Sequence, residues 1–309
     1  MKNYLYIVFS LLLFPILASS QNEQIIYQTK QKSILEYIAN DLTRGRATGT
    51  LSNQMVSEFI KDKFENYGIL PYNRGYYYQH FDVSGIRGRN IVGYLPSKNV
   101  SDKYIIVSAH YDHLGALNGF VYNGADDNAS GVTALLNIAE LCGVAHKAGK
   151  GLEYNIIFVA FDAKELSMAG SKHFVENMNI PTNKVIAAIN IDQIGSILEP
   201  VTEGNKEYVV ALGEKTLPKK NRGKIAHCNK YKNLNLEIDY TFYGSDAFTD
   251  IIYKLSDQNS FANKGIPALY FTSGFHKHTY KITDDINLID YDVLRKRTLL
   301  IYYLIQTLT

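Results

Sequence analysis

The chain has 309 residues, of which 46% are hydrophobic and 20% are charged. This composition is typical of a globular protein with one large domain or two small ones. The net charge of +2 gives no electrostatic reason to expect nucleic acid or an anionic surface as a partner.

The first 20 residues have the organisation of a signal peptide. Lys2 precedes an apolar run over residues 4–17, and three small residues follow at positions 18–20. The run is shorter than the roughly 20 residues that a membrane-spanning helix needs, and no later segment is apolar enough to span a bilayer. We therefore predict cleavage after Ser20, no stable membrane anchor, and export to the periplasm or the cell exterior.

The spacing of apolar residues predicts the order of helices and strands in the mature chain. Two helices and a hairpin come first, at Ser33–Leu42, Leu51–Tyr67, Tyr77–Val83 and Asn90–Leu95. Strands and helices then alternate, at Tyr104–Ala109, Ser130–Cys142, Tyr154–Phe161, Leu166–Asn177 and Lys184–Ile191. A polar stretch precedes the last three predicted elements, which are a helix near Asp246–Lys254, a strand at Ala268–Thr272 and a helix from about Tyr291.

The alternation of continuous apolar strands with amphipathic helices predicts the fold class. It indicates an α/β fold in which a mixed, mostly parallel central sheet carries helices on both faces. No repeat or long linker interrupts the pattern, so residues 21–309 are predicted to form a single domain. The pairing of Cys142 and Cys228 stays open, because sequence does not show whether they meet. Two cysteines are too few for a thiolate metal site, so any metal needs His, Asp and Glu ligands.

Polar residues follow three of the predicted central strands. His110 and Asp112 follow the first strand, Glu165 the second and Asp192 the third, while Asp127 lies in a loop before a helix. Each motif alone is also typical of local structure, such as a hydrogen-bonded His-x-Asp pair or a helix N-cap. Ligands bind outside the carboxyl ends of strands in open α/β sheets. The joint position of these residues therefore predicts a site for zinc or a similar divalent ion.

The motifs around these residues resemble one family, the exported co-catalytic zinc aminopeptidases, which are related to glutamate carboxypeptidase and the zinc glutaminyl cyclases. The four motifs that carry the resemblance are HYDHLG (110–115), GADDNASG (124–131), FDAKEL (161–166) and NIDQIG (190–195). Two further stretches support it, RGRATGT (44–50) and SDQNSFANKGIPALYFTSGFH (256–276). The resemblance covers nearly the whole mature chain and implies a zinc-exopeptidase-like fold with a peptide as substrate or ligand.

The resemblance also implies roles for individual residues. It implies two zinc ions bridged by Asp127, one of which also binds His110 and Asp192. Asp112 is expected to orient His110 from the side of the ring that faces away from the metal, which fixes the tautomer of the imidazole. The other ion is expected to bind Glu165 and a histidine near the C-terminus. In the family pattern the residue before Glu165 is a second glutamate, which takes a proton from the water between the metals.

Two positions depart from that pattern. Lys164 stands where the family has its general base, and Tyr280 stands at the histidine-ligand position when FHKHTYKITD (275–284) is aligned without gaps. His276 and His278 lie four and two residues before Tyr280, so a local register shift could bring one of them into the site.

Both departures affect the same half of the predicted site. Lysine is a poor base at its ordinary pKa of about 10.4, and tyrosine must ionise to bind a metal strongly. We predict that the Lys164 ammonium pairs with Glu165 or Asp127 in place of a second zinc ion. The site would then hold one metal ion or none.

Three functions follow from these motifs and departures. The first is a metallo-exopeptidase that hydrolyses the N-terminal residue of peptides, with another group such as Asp126, Asp162 or a histidine as its base. The second is a catalytically inactive family member that binds peptides or amino groups. The third is acyl transfer like that of glutaminyl cyclase, which ranks last because it also relies on the glutamate that Lys164 displaces. The sequence thus predicts weak or absent turnover.

Overall fold

The computed structural model describes residues 30–72 and 75–309, so the predicted signal peptide lies outside the described residues. Helices α1 to α8 span residues 30–38, Leu51–Tyr67, Gly131–Lys147, Ala169–Asn177, Lys224–Tyr231, Asp246–Ile252, Gln258–Ala262 and Tyr291–Leu308. Strands β1 to β6 span Leu70–Pro71, Tyr78–Val83, Ile86–Leu95, Tyr104–His110, Gly115–Leu117 and Phe120–Tyr122. Strands β7 to β11 span Asn155–Phe161, Val185–Ile191, Tyr208–Leu212, Glu237–Asp239 and Ala268–Thr272.

Within the described residues, nine strands form one sheet, in which β1, β3, β7, β4, β8, β11, β9 and β10 are neighbours in that order and β2 also pairs with β3. The four central strands, β7, β4, β8 and β11, run parallel. Strands β3 and β9 join this core antiparallel, at β7 and β11. The predicted mixed sheet with a parallel centre is therefore confirmed.

Helices cover both faces of the sheet, as predicted. Because successive side chains of a strand point to opposite faces, Ile105 and Val107 pack in one apolar cluster and Ile106 in another. The first cluster includes buried residues of α2, α3 and α8, and the second includes Phe174 of α4 and Phe261 of α7. Burial on both faces explains why the central strands are continuously apolar.

Several boundaries differ from the sequence prediction for local reasons. Helix α4 begins at Ala169 rather than Leu166, because Ser167 and Met168 have left-handed backbone conformations (φ 61° and 60°) that break the helix. The first helix ends at residue 38 and is followed by a 3-10 turn over Asp41–Arg46. Some elements, such as β9 and α5, are absent from the sequence prediction.

The structure bears on the pairing of the two cysteines and on the presence of a membrane-spanning helix. Cys142 and Cys228 are both buried free thiols, so they do not form a disulfide in this structure. Among the described residues, no helix combines the length and the hydropathy needed to cross a membrane.

Candidate metal centre

The candidate site lies at the carboxyl edge of the three adjacent parallel strands β7, β4 and β8. His110 is the last residue of β4, Asp192 follows β8, and Glu165 lies four residues beyond the end of β7. Asp127 lies in the segment Ala125–Ser130, which leads into α3, and its own backbone is not helical (φ −104°, ψ 86°). The fold thus brings together residues that are distant in sequence.

His110, Asp127 and Asp192 form the first group of potential ligands. The Nε2 atom of His110 lies 3.2 Å from Asp192 Oδ1 and 3.4 Å from Asp127 Oδ1. All three residues are buried, and their ligand atoms lie within 4.8 Å of one another. One imidazole and two carboxylates are a donor set that suits zinc. Their assignment as metal ligands stays a prediction.

Asp112 contacts His110 through both its main chain and its carboxylate. The Nδ1 atom of His110 lies 3.1 Å from the backbone carbonyl oxygen of Asp112 and 3.7 Å from its carboxylate. Because a carbonyl only accepts, Nδ1 donates to it, and Nε2 is the ring nitrogen that faces Asp127 and Asp192. The Asp112 carboxylate also accepts the backbone N–H groups of Lys164 (3.0 Å) and Glu165 (3.1 Å).

His113, Asp127 and Glu165 form a second group, which includes a residue that the sequence analysis missed. The Nδ1 atom of His113 lies 4.0 Å from Asp127 Oδ2 and 4.0 Å from Glu165 Oε1. Asp127 belongs to both groups and turns one oxygen to each histidine. The signal for His113 was its position three residues after His110 in HYDHLG, where it reads as an ordinary loop residue.

Several atoms of this centre are buried without a partner. Both ring nitrogens of His113 and both carboxylate oxygens of Asp127 lack a hydrogen-bond partner among the described residues. Burying polar atoms without partners is costly. A bound cation would satisfy the unprotonated nitrogen of His113 and the oxygens of Asp127, so the residues present fit a metal ion.

Lys164 enters the same centre with its ammonium group. Its Nζ donates to Glu165 Oε1 (3.2 Å) and to the Tyr280 hydroxyl (3.1 Å), and lies 3.9 Å from Asp127 Oδ1. The residue is only 8% exposed, so its side chain lies inside the centre and does not point to solvent. The predicted pairing with Glu165 is present, with Asp127 close by.

The charges in the centre shift one another's pKa values. Burial alone would lower the pKa of Lys164, but the carboxylates of Asp127, Asp192 and Glu165 outweigh it and raise that pKa well above its ordinary value. Burial, together with Asp127, raises the pKa of Glu165 to about 7 despite the opposing effect of Lys164. Burial also lowers the pKa of His113 to about 3, which keeps its imidazole neutral.

The other histidines of the C-terminal motif lie away from these two groups. The Nε2 atom of His276 pairs with Asp126 Oδ2 at 3.1 Å, and His278 Nδ1 contacts the Thr283 hydroxyl at 2.8 Å. Neither belongs to a potential metal-ligand group in the described part of the chain. The register shift that would replace Tyr280 with a histidine is not seen.

Both aspartates considered as alternative bases already accept several hydrogen bonds. Asp126 Oδ1 accepts the backbone N–H groups of Gly195 and Ser196. Asp162 Oδ1 accepts from Thr48 (2.9 Å) and Asn53 (3.0 Å), while its Oδ2 accepts the backbone N–H of Arg89 (3.0 Å). These carboxylates support loops rather than face the metal groups.

The loop that carries Asp127 is held by two buried charged residues. Asp284 accepts the backbone N–H groups of Asp126 (2.9 Å) and Asp127 (3.0 Å). Arg46, fully buried, donates to the backbone carbonyls of Tyr111 (2.8 Å) and Gly124 (3.0 Å). Arg46 therefore ties the loop after His110 to the loop before Asp127.

A cavity of about 400 Å³ opens beside the centre. Its lining is mainly apolar, with two charged residues, and consists of Lys164, Asp192, Leu255, Tyr270, Phe275, Thr279 and Tyr280. Ser256, next to the lining residue Leu255, donates to Asp192 Oδ2 and fixes that carboxylate.

The fold is that of a zinc-exopeptidase-like protein, and comparison with known proteins gives the family. The sequence pattern of peptidase family M28 matches residues 90–305, which is more than half of the chain, and the chain belongs to this zinc-dependent family.

Three similar proteins illustrate the relationship. The alkaline phosphatase isozyme conversion protein of Escherichia coli (strain K12) is 25% identical over 200 residues, which are 59% of this chain and 54% of that protein. Aminopeptidase YwaD of Bacillus subtilis (strain 168) is 31% identical over 117 residues, which are 37% of this chain and 24% of that protein. The crystal structure of Porphyromonas gingivalis glutaminyl cyclase has a TM-score of 0.68 at 18% identity, over 91% of this chain and 98% of that one. The match thus spans about half or less of the two curated relatives.

Proposed function

We propose that this chain binds one zinc ion through His110, Asp127 and Asp192 and binds peptides beside it, with little or no hydrolysis. The observation that carries the proposal is the position of the Lys164 ammonium, 3.2 Å from Glu165 Oε1 and 3.9 Å from Asp127 Oδ1. A positive charge there offsets the carboxylates that a second zinc ion would otherwise neutralise.

The proposed loss of turnover follows from what Lys164 can and cannot do. A zinc ion bound to the first group would supply Lewis-acid chemistry. Hydrolysis also needs a group that accepts a proton, and an ammonium only donates. Asp126 and Asp162 are engaged in hydrogen bonds with their surroundings. Loss of general-base assistance typically lowers a rate by about 10²–10⁴-fold.

The cavity supports peptide binding. Leu255, Tyr270 and Phe275 give it apolar walls, while Lys164 and Asp192 bring charge to its lining. Apolar walls around a few polar groups are typical of ligand sites. An apolar side chain at the end of a peptide would be buried against these walls.

Wild-type protein loaded with zinc should turn over a panel of aminoacyl substrates with kcat below about 0.1 s⁻¹, at least about 100-fold under a typical enzyme. The same protein should bind a peptide beginning with leucine at least about tenfold more tightly than the matched peptide beginning with glycine, because the leucine side chain is removed from water. Fixed-time activity assays measure kcat, and titration calorimetry measures the affinities for the two peptides. Ordinary turnover, or equal binding of both peptides, contradicts the proposal.

We also propose that the protein is exported, on the basis of the signal-peptide pattern of residues 1–20. Expression of the full chain in a bacterium should yield protein outside the cytoplasm whose N-terminus is Gln21. Mass spectrometry of the periplasmic and medium fractions tests this. An uncleaved chain retained in the cytoplasm would refute it.

A further inference from the structure

The feature that the proposed function leaves unexplained is His113. This side chain is 1% exposed, and neither ring nitrogen has a hydrogen-bond partner among the residues that the structure describes. A buried imidazole normally donates from one nitrogen and accepts at the other. His113 therefore presents a free nitrogen inside a cluster of carboxylates.

The donors that face His113 complete a ligand set. Its Nδ1 lies 4.0 Å from both Asp127 Oδ2 and Glu165 Oε1. One imidazole with two carboxylates suits zinc, with bonds of about 2 Å. Two such bonds span at most about 4 Å, so an ion would draw these three donors slightly together.

Asp127 links this set to the first one. Its Oδ1 faces His110 at 3.4 Å, and its Oδ2 faces His113. The carboxylate thus offers a separate oxygen to each imidazole. The nitrogen that the family pattern places at position 280, where this chain has tyrosine, is available here from the loop after β4.

The Lys164 ammonium competes with a metal ion for the same carboxylate oxygens. Its Nζ donates to Glu165 Oε1, the oxygen that faces His113, and lies 3.9 Å from Asp127 Oδ1. The Tyr280 hydroxyl is a third partner, at 3.1 Å. A metal ion at His113 would have to displace this ammonium from Glu165 and bear its repulsion.

We propose that His113, Asp127 and Glu165 form a latent second metal site, which the Lys164 ammonium keeps closed. The inference rests on the proposed function in taking Lys164 as the cation of that half of the centre. It adds His113 as a metal ligand. It also explains why the chain would bind one zinc ion, and why removal of the Lys164 ammonium would allow a second.

Zinc per chain, measured by elemental analysis after equilibrium dialysis against zinc, tests the site without any assay of activity. The wild type should hold one zinc ion, and Lys164→Met, which removes the charge but keeps the bulk, should hold two. The double variant Lys164→Met/His113→Ala should return to one. Lys172→Met, which removes an exposed lysine of α4, is the matched control and should stay at one.

Cobalt substitution gives an independent readout. The Lys164→Met protein should show a second set of cobalt absorption bands on titration, and the set should disappear when His113 is replaced by alanine. Thermal unfolding by circular dichroism checks that each variant is folded. If Lys164→Met does not fold, Lys164→Gln serves the same purpose.

The outcomes separate this inference from the proposed function. Two zinc ions in the wild type would overturn the closed state of the second site and the one-zinc proposal together. One ion in both wild type and folded Lys164→Met would overturn the latent site alone. Two ions retained in Lys164→Met/His113→Ala would overturn the role of His113. Ordinary turnover by a one-zinc wild type would overturn only the proposed function.

Discussion

The double variant Lys164→Glu/Tyr280→His is expected to hydrolyse aminoacyl substrates at least about 100-fold faster than the wild type. The carboxylate introduced at position 164 would supply a proton acceptor, which typically contributes about 10²–10⁴-fold. The imidazole introduced at position 280 would replace the Tyr280 hydroxyl, which now contacts Lys164 at 3.1 Å, and would add a nitrogen ligand there. Initial rates on a panel of aminoacyl substrates measure the gain.

The single variants show how the two changes depend on each other. Lys164→Glu brings a further carboxylate next to Glu165 and Asp127 and removes the ammonium that offsets them. Residues that share a network are strongly non-additive, so Tyr280→His alone should gain little while Lys164 stays. Lys164→Glu should gain part of the rate if His113 then holds a metal ion.

The control for this experiment is Lys172→Glu, the same change of charge at an exposed position of α4. It should leave the rate at the wild-type level. If the double variant is folded and contains two zinc ions but still shows no hydrolysis, the proposed low turnover has a cause other than Lys164 and Tyr280.

Arg46→Met is expected to lower the free energy of unfolding by about 3–5 kcal/mol, because the buried carbonyls of Tyr111 and Asn123 would lose their donor at a cost of about 1–3 kcal/mol each. The guanidinium is fully buried and donates to backbone carbonyls of Tyr111, Asn123 and Gly124. Burial lowers the pKa of Arg46 to about 10, so it remains charged at neutral pH. Methionine fills the space but cannot donate to these carbonyls, of which Gly124 keeps the backbone N–H of Ala129 as a donor.

Urea unfolding measures this effect, and zinc affinity gives a second readout. Because Arg46 joins the loops that carry His110 and Asp127, zinc binding should weaken in the variant even where it remains folded. Arg44→Met is the matched control, since Arg44 is exposed and surface changes usually stay within about 0.5 kcal/mol. An Arg46→Met protein within about 1 kcal/mol of the wild type would contradict the assigned role.

The sequence predicts the fold well because each central strand is a continuous apolar run that can be recognised without its neighbours. Continuous apolar strands with helices between them are typical of a covered parallel sheet, and the structure has that sheet. Strand β9, Tyr208–Leu212, is absent from the sequence prediction although it pairs with both β10 and β11. The start of α4 was missed because left-handed conformations at Ser167 and Met168 leave no trace in apolar spacing.

The candidate centre is predicted only in part, for a physical reason. The strand-end rule brings His110, Glu165 and Asp192 to one edge, as the structure also places them. His113 lies in a loop, and no periodicity shows which way a loop side chain points. The engagement of His276 by Asp126 likewise depends on contacts across 150 residues of chain, which local spacing does not encode.

The Asp112 carboxylate accepts hydrogen bonds from the backbone N–H groups of Lys164 and Glu165. These bonds affect how the centre responds to mutation. The carboxylate holds the two backbone N–H groups whichever side chain stands at position 164. We expect a replacement there to alter the local charge while the main chain of Glu165 keeps its hydrogen bond to Asp112. Lysine and glutamate codons differ by a single base, as do tyrosine and histidine codons. Under the proposed function, two point mutations beside a main chain held by Asp112 therefore separate the site of this chain from that of a hydrolase.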